Sequence, residues 1–330
     1  MHRIWFERAV PEKFLPLLEG LALPVGPASA TPDDPLRALH GAQAAIVGAK
    51  IRFDGVFLDR FPALRAVVRT GIGYDSISVP DATARGVAVI NVPDGPTIST
   101  AEHAVALLLA AVKHLKASDS DLRRGGNPDS YQNFDGLELY QRRLGLVGLG
   151  RIGRRVARVA LALEMVVVAF DPFVTLEQAA ALGVELAPSL DALLAAADVV
   201  SLHAPLTAET RHLINARTLA RMKPRAYLVN AARGGLVDEA ALLAALDSGH
   251  LRGAALDVFD PEPPRPDHPL LLRDDVIGTG HVAGATPAGK DRLLEGALRQ
   301  ALQVLRGERP PHLVNPAVWP ALEAQFRKDG

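Results

Sequence analysis

The 330-residue chain contains no cysteine. That excludes a disulfide framework, a thiolate metal site and a cysteine nucleophile, and it leaves the redox compartment open. Net charge is also nearly absent, at a formal −1. A nucleic acid or an anionic membrane held by bulk electrostatics is therefore not an expected partner. The N-terminal stretch MHRIWFERAV has neither a long apolar core nor a small-residue cleavage pattern, so no signal peptide is expected. Apolar runs such as AVALLLAAV (104–112) are too short to span a bilayer and are bounded by His103 and Lys113. Repeats and low-complexity segments are missing too. These absences leave a soluble, cytoplasmic globular protein as the expectation, long enough for two domains.

What is present alternates. Short aliphatic runs at 3–6, 44–47, 66–68, 87–90, 144–147, 166–170, 199–203, 227–230 and 254–258 read as strands. Ala/Leu-rich stretches at 54–61, 150–163, 190–197 and 239–248 read as helices between them, with longer helices expected from Thr100 to about Arg123 and over 290–307. Near-continuous apolar strands separated by helices imply parallel sheets covered on both faces, an α/β fold. Breaks at NVPDGPTIST (91–100) and GHVAGATPAG (280–289) divide the chain. They place a first domain at 1–98 and 288–330, with a second at 99–287 inserted into it.

One motif carries chemistry before any resemblance is considered. Gly148-Leu149-Gly150-Arg151-Ile152-Gly153 fits G-x-G-x-x-G. With 28 glycines in 330 residues, chance alone yields this pattern roughly 0.2 times. Context makes it specific: the glycines follow an apolar strand, open a helix, and precede a strand ending in Asp171. Gly148 permits the tight turn, Gly150 lets backbone approach a pyrophosphate, and Gly153 allows helix and strand to pack closely. The helix N-terminus offers amides and a positive dipole end to phosphate. Asp171 is placed for ribose hydroxyls and would repel a 2′-phosphate, so NAD is the expected cofactor.

Seven ordered segments then resemble the D-isomer-specific 2-hydroxyacid dehydrogenases, over about residues 40–310. They are TGIGYDSISVPDATARGVAVINVP (70–93), AEHAVALLLA (101–110), GLELYQRRLGLVGLGRIG (136–153), HAPLTAETRHLIN (203–215), LVNAARGGLVDEAALLAAL (228–246), GAALDVFDPEPP (253–264) and GHVAGAT (280–286). The resemblance implies a Rossmann dinucleotide-binding domain inserted into a flavodoxin-like substrate domain. It also implies a hydride exchanged between NAD(H) and C2 of a small 2-oxo or 2-hydroxy acid. Arg233 would grip the substrate carboxylate, His281 would be the acid–base, and Glu262 would hold one histidine tautomer. Formate dehydrogenases place an uncharged Gln where Glu262 stands, so this residue points to hydroxy-acid chemistry.

The same resemblance puts Arg151 and Ile152 at the pyrophosphate and His203, Ala204, Pro205 and Thr210 along the adenine–ribose side. Ala231 and Asp257 fall at the nicotinamide end, with Asp257 bonding the carboxamide. Gly284, Arg233 and His281 also count among the cofactor contacts. The backbone at Gly71, Ile72 and Gly73 would clasp the substrate carboxylate together with Arg233 and His281. Where relatives carry a polar side chain for the substrate's far end, Gly48-Ala49 stand here, with Lys50 and Arg52 just beyond. Small uncharged substrates such as glyoxylate and hydroxypyruvate are thus expected ahead of a phosphorylated one. The loop 125–136 lacks the family's tryptophan, Tyr131 being nearest. A homodimer built on the helix from Thr100 and loop 125–140 is implied, and with the chain ending at Gly330 no C-terminal regulatory domain is expected. No metal is expected. Two alternatives share the motifs: a dinucleotide-sensing, corepressor-like binding protein and a phosphite dehydrogenase-like enzyme.

Overall fold

The structure is a computed structural model that describes residues 1–27, 36–126 and 129–329. The chain divides into two compact units, Met1–Pro96 with Pro287–Gly330, and Thr97–Thr286. The second begins three residues earlier than the expected helix start because Thr97, Ile98 and Ser99 already belong to that helix, Thr97–Val112.

The first unit holds a five-stranded sheet of β1 (His2–Phe6), β2 (Ala22–Val25), β3 (Ala44–Val47), β4 (Ala66–Arg69) and β5 (Ala88–Ile90). The order is β2-β1-β3-β4-β5, every pair parallel. Side-chain alternation sorts the apolar runs onto two faces. Ile4, Phe6, Ile46, Val68 and Ile90 pack with Leu298, Leu302 and Trp319, whereas Trp5, Val47, Val67 and Val89 pack with Phe53, Leu58 and Phe61. The helix Pro287–Leu305 supplies part of the first cover. Asn315 then ties the returning chain to β5. Its side chain accepts from the Val89 amide at 2.8 Å and donates to the Val87 carbonyl and the Thr83 hydroxyl, both at 2.9 Å.

The second unit contains β6 (Arg143–Val147), β7 (Val166–Phe170), β8 (Glu185–Leu186), β9 (Val199–Leu202), β10 (Ala226–Asn230), β11 (Leu251–Leu256) and β12 (Val276–Gly278). Their order is β12-β11-β10-β9-β6-β7-β8, again all parallel. From β6 the chain winds outward to β8, then returns to β9 and winds the other way. This reversal between β6 and β9 is the place where doubly wound sheets bind ligands, at the carboxyl ends of the strands. Leu144, Leu146, Val167 and Val229 face one cover of helices and Val147, Val200, Leu228 and Leu256 face the other. The expected α/β class with two parallel sheets is observed.

The long helix expected to Arg123 is two helices, Thr97–Val112 and Leu115–Arg123, bent by 59°. The break lies at His114, which adopts φ +52. Its Nε2 accepts from Arg252 Nε at 3.1 Å and lies 3.2 Å from the Tyr227 hydroxyl. Among the described residues no single helix is long and apolar enough to cross a membrane, and the buried side of Thr97–Val112 belongs to the core of its unit. In the loop 125–136, Asn127 and Pro128 lie outside the described residues.

Candidate active site

The glycine turn after β6 uses its three glycines for three different reasons. Gly148 takes φ +99, and a Cβ there would lie 2.9 Å from the His203 carbonyl. Gly153 approaches so closely that a Cβ would sit 2.3 Å from the Gly148 carbonyl oxygen. Gly150 is the opposite case: a Cβ would meet nothing within 4 Å. It is the N-cap of the helix Arg151–Ala162 and supplies no side-chain cap. The helix therefore begins beside open space at Gly150, and its positive dipole end favours an anion there. These features fit a dinucleotide pyrophosphate.

Asp171 stands at the end of β7 facing this turn. Its Oδ2 accepts from the Leu149 amide at 2.8 Å and its Oδ1 from the Phe173 amide at 2.9 Å. Each carboxylate oxygen can accept once more. Arg151 is exposed on the first turn, while Ile152 packs partly on the core. His203 follows β9, with its Nε2 3.0 Å from Ser201 Oγ, and burial pushes its imidazole down to about 4. Beyond Ala204, the Thr210 hydroxyl donates to the Pro205 carbonyl and accepts from the Thr207 amide, both at 2.7 Å, and so closes its own loop. Ala231 is buried just past β10, and Gly284 is half-buried in the loop after His281.

The three expected reactive residues also belong to this second unit, on loops after successive strands. Arg233 follows β10 in a turn ordered by buried Asn230, whose side-chain amide donates to the Arg233 carbonyl at 2.8 Å and accepts from the Ala232 amide at 3.0 Å. The next residue, Gly234, tolerates no side chain, because a Cβ would lie 2.0 Å from the Phe259 carbonyl oxygen. That close approach explains the Gly-Gly after the arginine and brings the Arg233 turn against the 259–262 turn. There Glu262 accepts the Phe259 amide on Oε1 at 3.1 Å, and its Oε2 lies 2.8 Å from His281 Nδ1. Partial burial pushes the Glu262 carboxyl up. The hydrogen bond and charge of His281, the Phe259 amide and the Arg233 guanidinium outweigh it and hold the group below the usual carboxylate range. The His281 side chain keeps 45 % of its surface exposed, enough to meet a substrate.

His281 adopts φ +53, a conformation rare for a residue with a Cβ. Asp257 explains how it is held. The Asp257 carbonyl accepts the His281 amide at 2.6 Å, and the carboxylate accepts the amides of Val282 and Ala283, both at 2.9 Å. Thr279 Oγ1 donates to the same carboxylate at 2.6 Å, and the Asp257 side chain has no exposed surface. Expected as a carboxamide contact, Asp257 is thus turned inward, clamping the His281 loop. His103, not foreseen, completes the clamp, with Nε2 3.1 Å from Thr279 Oγ1 and 3.3 Å from Asp257 Oδ1. Its only sequence signal is a histidine at the head of the apolar run 104–112.

In the first unit, Gly71, Ile72 and Gly73 form a turn directly after β4. Neither glycine has a positive φ. A Cβ at Gly71 would lie 2.9 Å from the Arg69 guanidinium, the far end of a flexible side chain. The Gly71 amide turns back to the Arg69 carbonyl at 2.9 Å, and Asn91 holds the Ile72 carbonyl at 2.7 Å. The Gly71 amide is thus already used within the turn. At the end of β3 the Gly48 amide donates to the Glu7 carboxylate. Arg52 is exposed and paired with Asp54 at 3.6 Å, and Lys50 is exposed.

The sequence and the fold both have known relatives. The sequence model of the D-isomer specific 2-hydroxyacid dehydrogenase NAD binding domain matches residues 105–283. The D-3-phosphoglycerate dehydrogenase of Methanocaldococcus jannaschii is 40 % identical over 285 residues, which cover 86 % of this chain and 54 % of that protein. The glyoxylate reductase of Thermofilum pendens is 38 % identical over 285 residues, covering 86 % of this chain and 84 % of that protein. The chain thus spans about half the length of the phosphoglycerate dehydrogenases it matches. Among solved structures, the TT0316 protein of Thermus thermophilus superposes with a TM-score of 0.84 at 37 % identity, covering 94 % of this chain and 99 % of that one. The D-lactate dehydrogenase of Aquifex aeolicus, complexed with NAD and lactic acid, gives 0.82 at 28 % identity, covering 95 % and 99 %.

Proposed function

Because this chain belongs to the D-isomer-specific 2-hydroxyacid dehydrogenase family, we propose that it is an NAD(H)-dependent oxidoreductase acting at C2 of a small 2-oxo or 2-hydroxy acid. The observation that carries this reading is the 2.8 Å Glu262–His281 pair, set beside the Arg233 turn in the unit that also holds the glycine cradle. Bound NADH supplies the hydride. The first-turn amides after Gly150 hold its pyrophosphate, and Asp171 accepts from its ribose hydroxyls. Ala231, Gly284 and the 203–210 loop line the rest of the cofactor.

The protein's own residues handle the charge and the proton. Arg233 pairs its planar guanidinium with the substrate carboxylate and polarises the C2 carbonyl. Glu262 accepts from His281 Nδ1–H, which fixes the tautomer and turns Nε2 toward the reacting oxygen. In reduction, His281 Nε2–H gives its proton to the carbonyl oxygen as the hydride arrives at carbon. In oxidation, it takes that proton from the hydroxyl. The Ile72 and Gly73 amides are the proposed second hold on the carboxylate.

The Gly48 amide is taken by the Glu7 carboxylate and Arg52 is paired with Asp54, which supports small uncharged side groups. Glyoxylate and hydroxypyruvate therefore rank ahead of 3-phosphohydroxypyruvate. A panel of 2-oxo acids with NADH and NADPH, followed by absorbance loss, tests the reading. Activity only with NADPH would overturn the role of Asp171, and none with any acid would overturn the enzyme assignment. We also propose a homodimer through the helices Thr97–Val112 and Leu115–Arg123 and the loop 125–140. The exposed Leu122 and Tyr131 support it, and light scattering at micromolar concentration tests it.

A further inference from the structure

Behind the Glu262–His281 pair lies a second carboxylate–histidine pair. Glu239, the first residue of the helix Glu239–Asp247, has Oε2 2.9 Å from His268 Nε2. Its Oε1 accepts the Asp260 amide at 2.9 Å. Both side chains are largely enclosed, at 17 % and 23 % exposure. The other ring nitrogen, His268 Nδ1, is buried and has no hydrogen-bond partner. A buried imidazole that satisfies only one nitrogen is a costly way merely to fill space. The ring also stands edge-on to Phe259, with centroids 5.7 Å apart at 70°.

Two of these contacts fall on the turn that carries Glu262. The Phe259 ring is set by His268 and its amide by Glu262. The Asp260 amide is set by Glu239, and its carboxylate by Arg211 at 3.0 Å. Two residues further on, Glu262 must present Oε2 within hydrogen-bond distance of His281. We propose that Glu239 and His268 are positioning residues for the reaction. They fix the 259–262 turn so that Glu262 holds the His281 ring in its working orientation. This rests on the reading of Glu262 and His281 as the acid–base pair. A carboxylate displaced by about 1 Å can cost on the order of 10²-fold in rate.

The test compares Glu239→Ala, which removes the acceptor of the Asp260 amide, with Glu239→Gln, whose side-chain oxygen keeps it. Expected is a 10- to 100-fold fall in kcat for 2-oxo acid reduction in the alanine variant, recovered to within about threefold in the glutamine variant. NADH affinity should be unchanged in both. ¹⁵N-histidine NMR of the folded protein reads the His281 tautomer directly, whatever the activity. Nδ1 should be the protonated nitrogen in the wild type and in Glu239→Gln, and should lose that preference in Glu239→Ala. An alanine variant with unchanged kcat and an unchanged His281 tautomer would overturn the proposal, as would a loss of kcat matched by an equal loss of NADH binding. If the wild type reduces no 2-oxo acid, the enzyme reading falls, and the His281 tautomer alone then decides the positioning role. His268→Gln gives a second route to the same readouts should Glu239→Ala fold poorly.

Discussion

Two glycine turns, each following a parallel strand, share the G-x-G pattern and differ in almost everything else. At 148–153 the backbone itself is constrained: Gly148 needs a positive φ, Gly153 presses on the Gly148 carbonyl, and only Gly150 faces open space. At 71–73 no positive φ occurs, and the crowding at Gly71 comes from the mobile end of the Arg69 side chain. One turn is a rigid cradle opening a twelve-residue helix, while the other is a tethered loop adjusted by its neighbours. The spacing of glycines identifies a cradle only when the surrounding strands and helix demand it.

The largest effect separates proton transfer from either turn. His281→Ala should lower kcat by roughly 10²–10⁴-fold while leaving NADH affinity nearly unchanged, as measured by fluorescence titration. Next comes the rigidity of the cradle. Gly153→Ala, forced toward a carbonyl oxygen, should lose about 1–3 kcal/mol in urea unfolding. Gly150→Val should unfold with the wild type yet weaken NADH at least tenfold, about 1.4 kcal/mol, because its side chain enters open space meant for phosphate. Gly71→Ala should sit within about 0.5 kcal/mol of the wild type, since a guanidinium can move aside. Its effect should appear in KM for the acid and not in NADH binding. If Gly71→Ala proves as destabilising as Gly153→Ala, the contrast between the turns is wrong.

The smallest effect is on pH. Glu262 has its carboxyl lowered in the folded state, so the ionised carboxylate that pairs with His281 is present above the ordinary value of 4.5 and is lost only as pH falls below it. The acid-side fall in kcat/KM that depends on Glu262 should therefore begin below about pH 4.5. A limb that sets in above pH 5 in the wild type and vanishes in Glu262→Gln would contradict the pairing.

The strands that form the centres of both sheets were legible because both faces are buried, which demands apolar runs. Those missed are at edges: β2 carries Pro24, β8 has two residues, and β12 ends in Gly278. The helix break at His114 was illegible because Arg252 and Tyr227, more than a hundred residues away, hold it. Within the site, Arg233, Glu262, His281 and the cradle announced themselves by motif. His103, Glu239 and His268 did not, since what marks them is a partner rather than a neighbour. His103 and Thr279 are 176 residues apart in the chain. For Asp257 the motif located the residue, but only the fold revealed that its carboxylate faces inward.

The tie from Asn315 to β5 bears on how the chain emerges from a ribosome. The inserted unit Thr97–Thr286 is continuous and has every strand of its sheet once residue 286 has cleared the exit tunnel. The first unit has all five strands earlier, yet one face keeps only the partial cover of Phe14 and Leu18 until the helix Pro287–Leu305 arrives. At about 5–20 residues per second, the intervening 190 residues (97 to 286) take about 10–40 seconds. During that interval Ile4, Phe6, Ile46 and Val68 lack the part of their cover that Leu298, Leu302 and Trp319 provide. A nascent chain of this design is a candidate client for a chaperone at its earliest-made sheet, and stalling translation just before residue 287 should make that association persist.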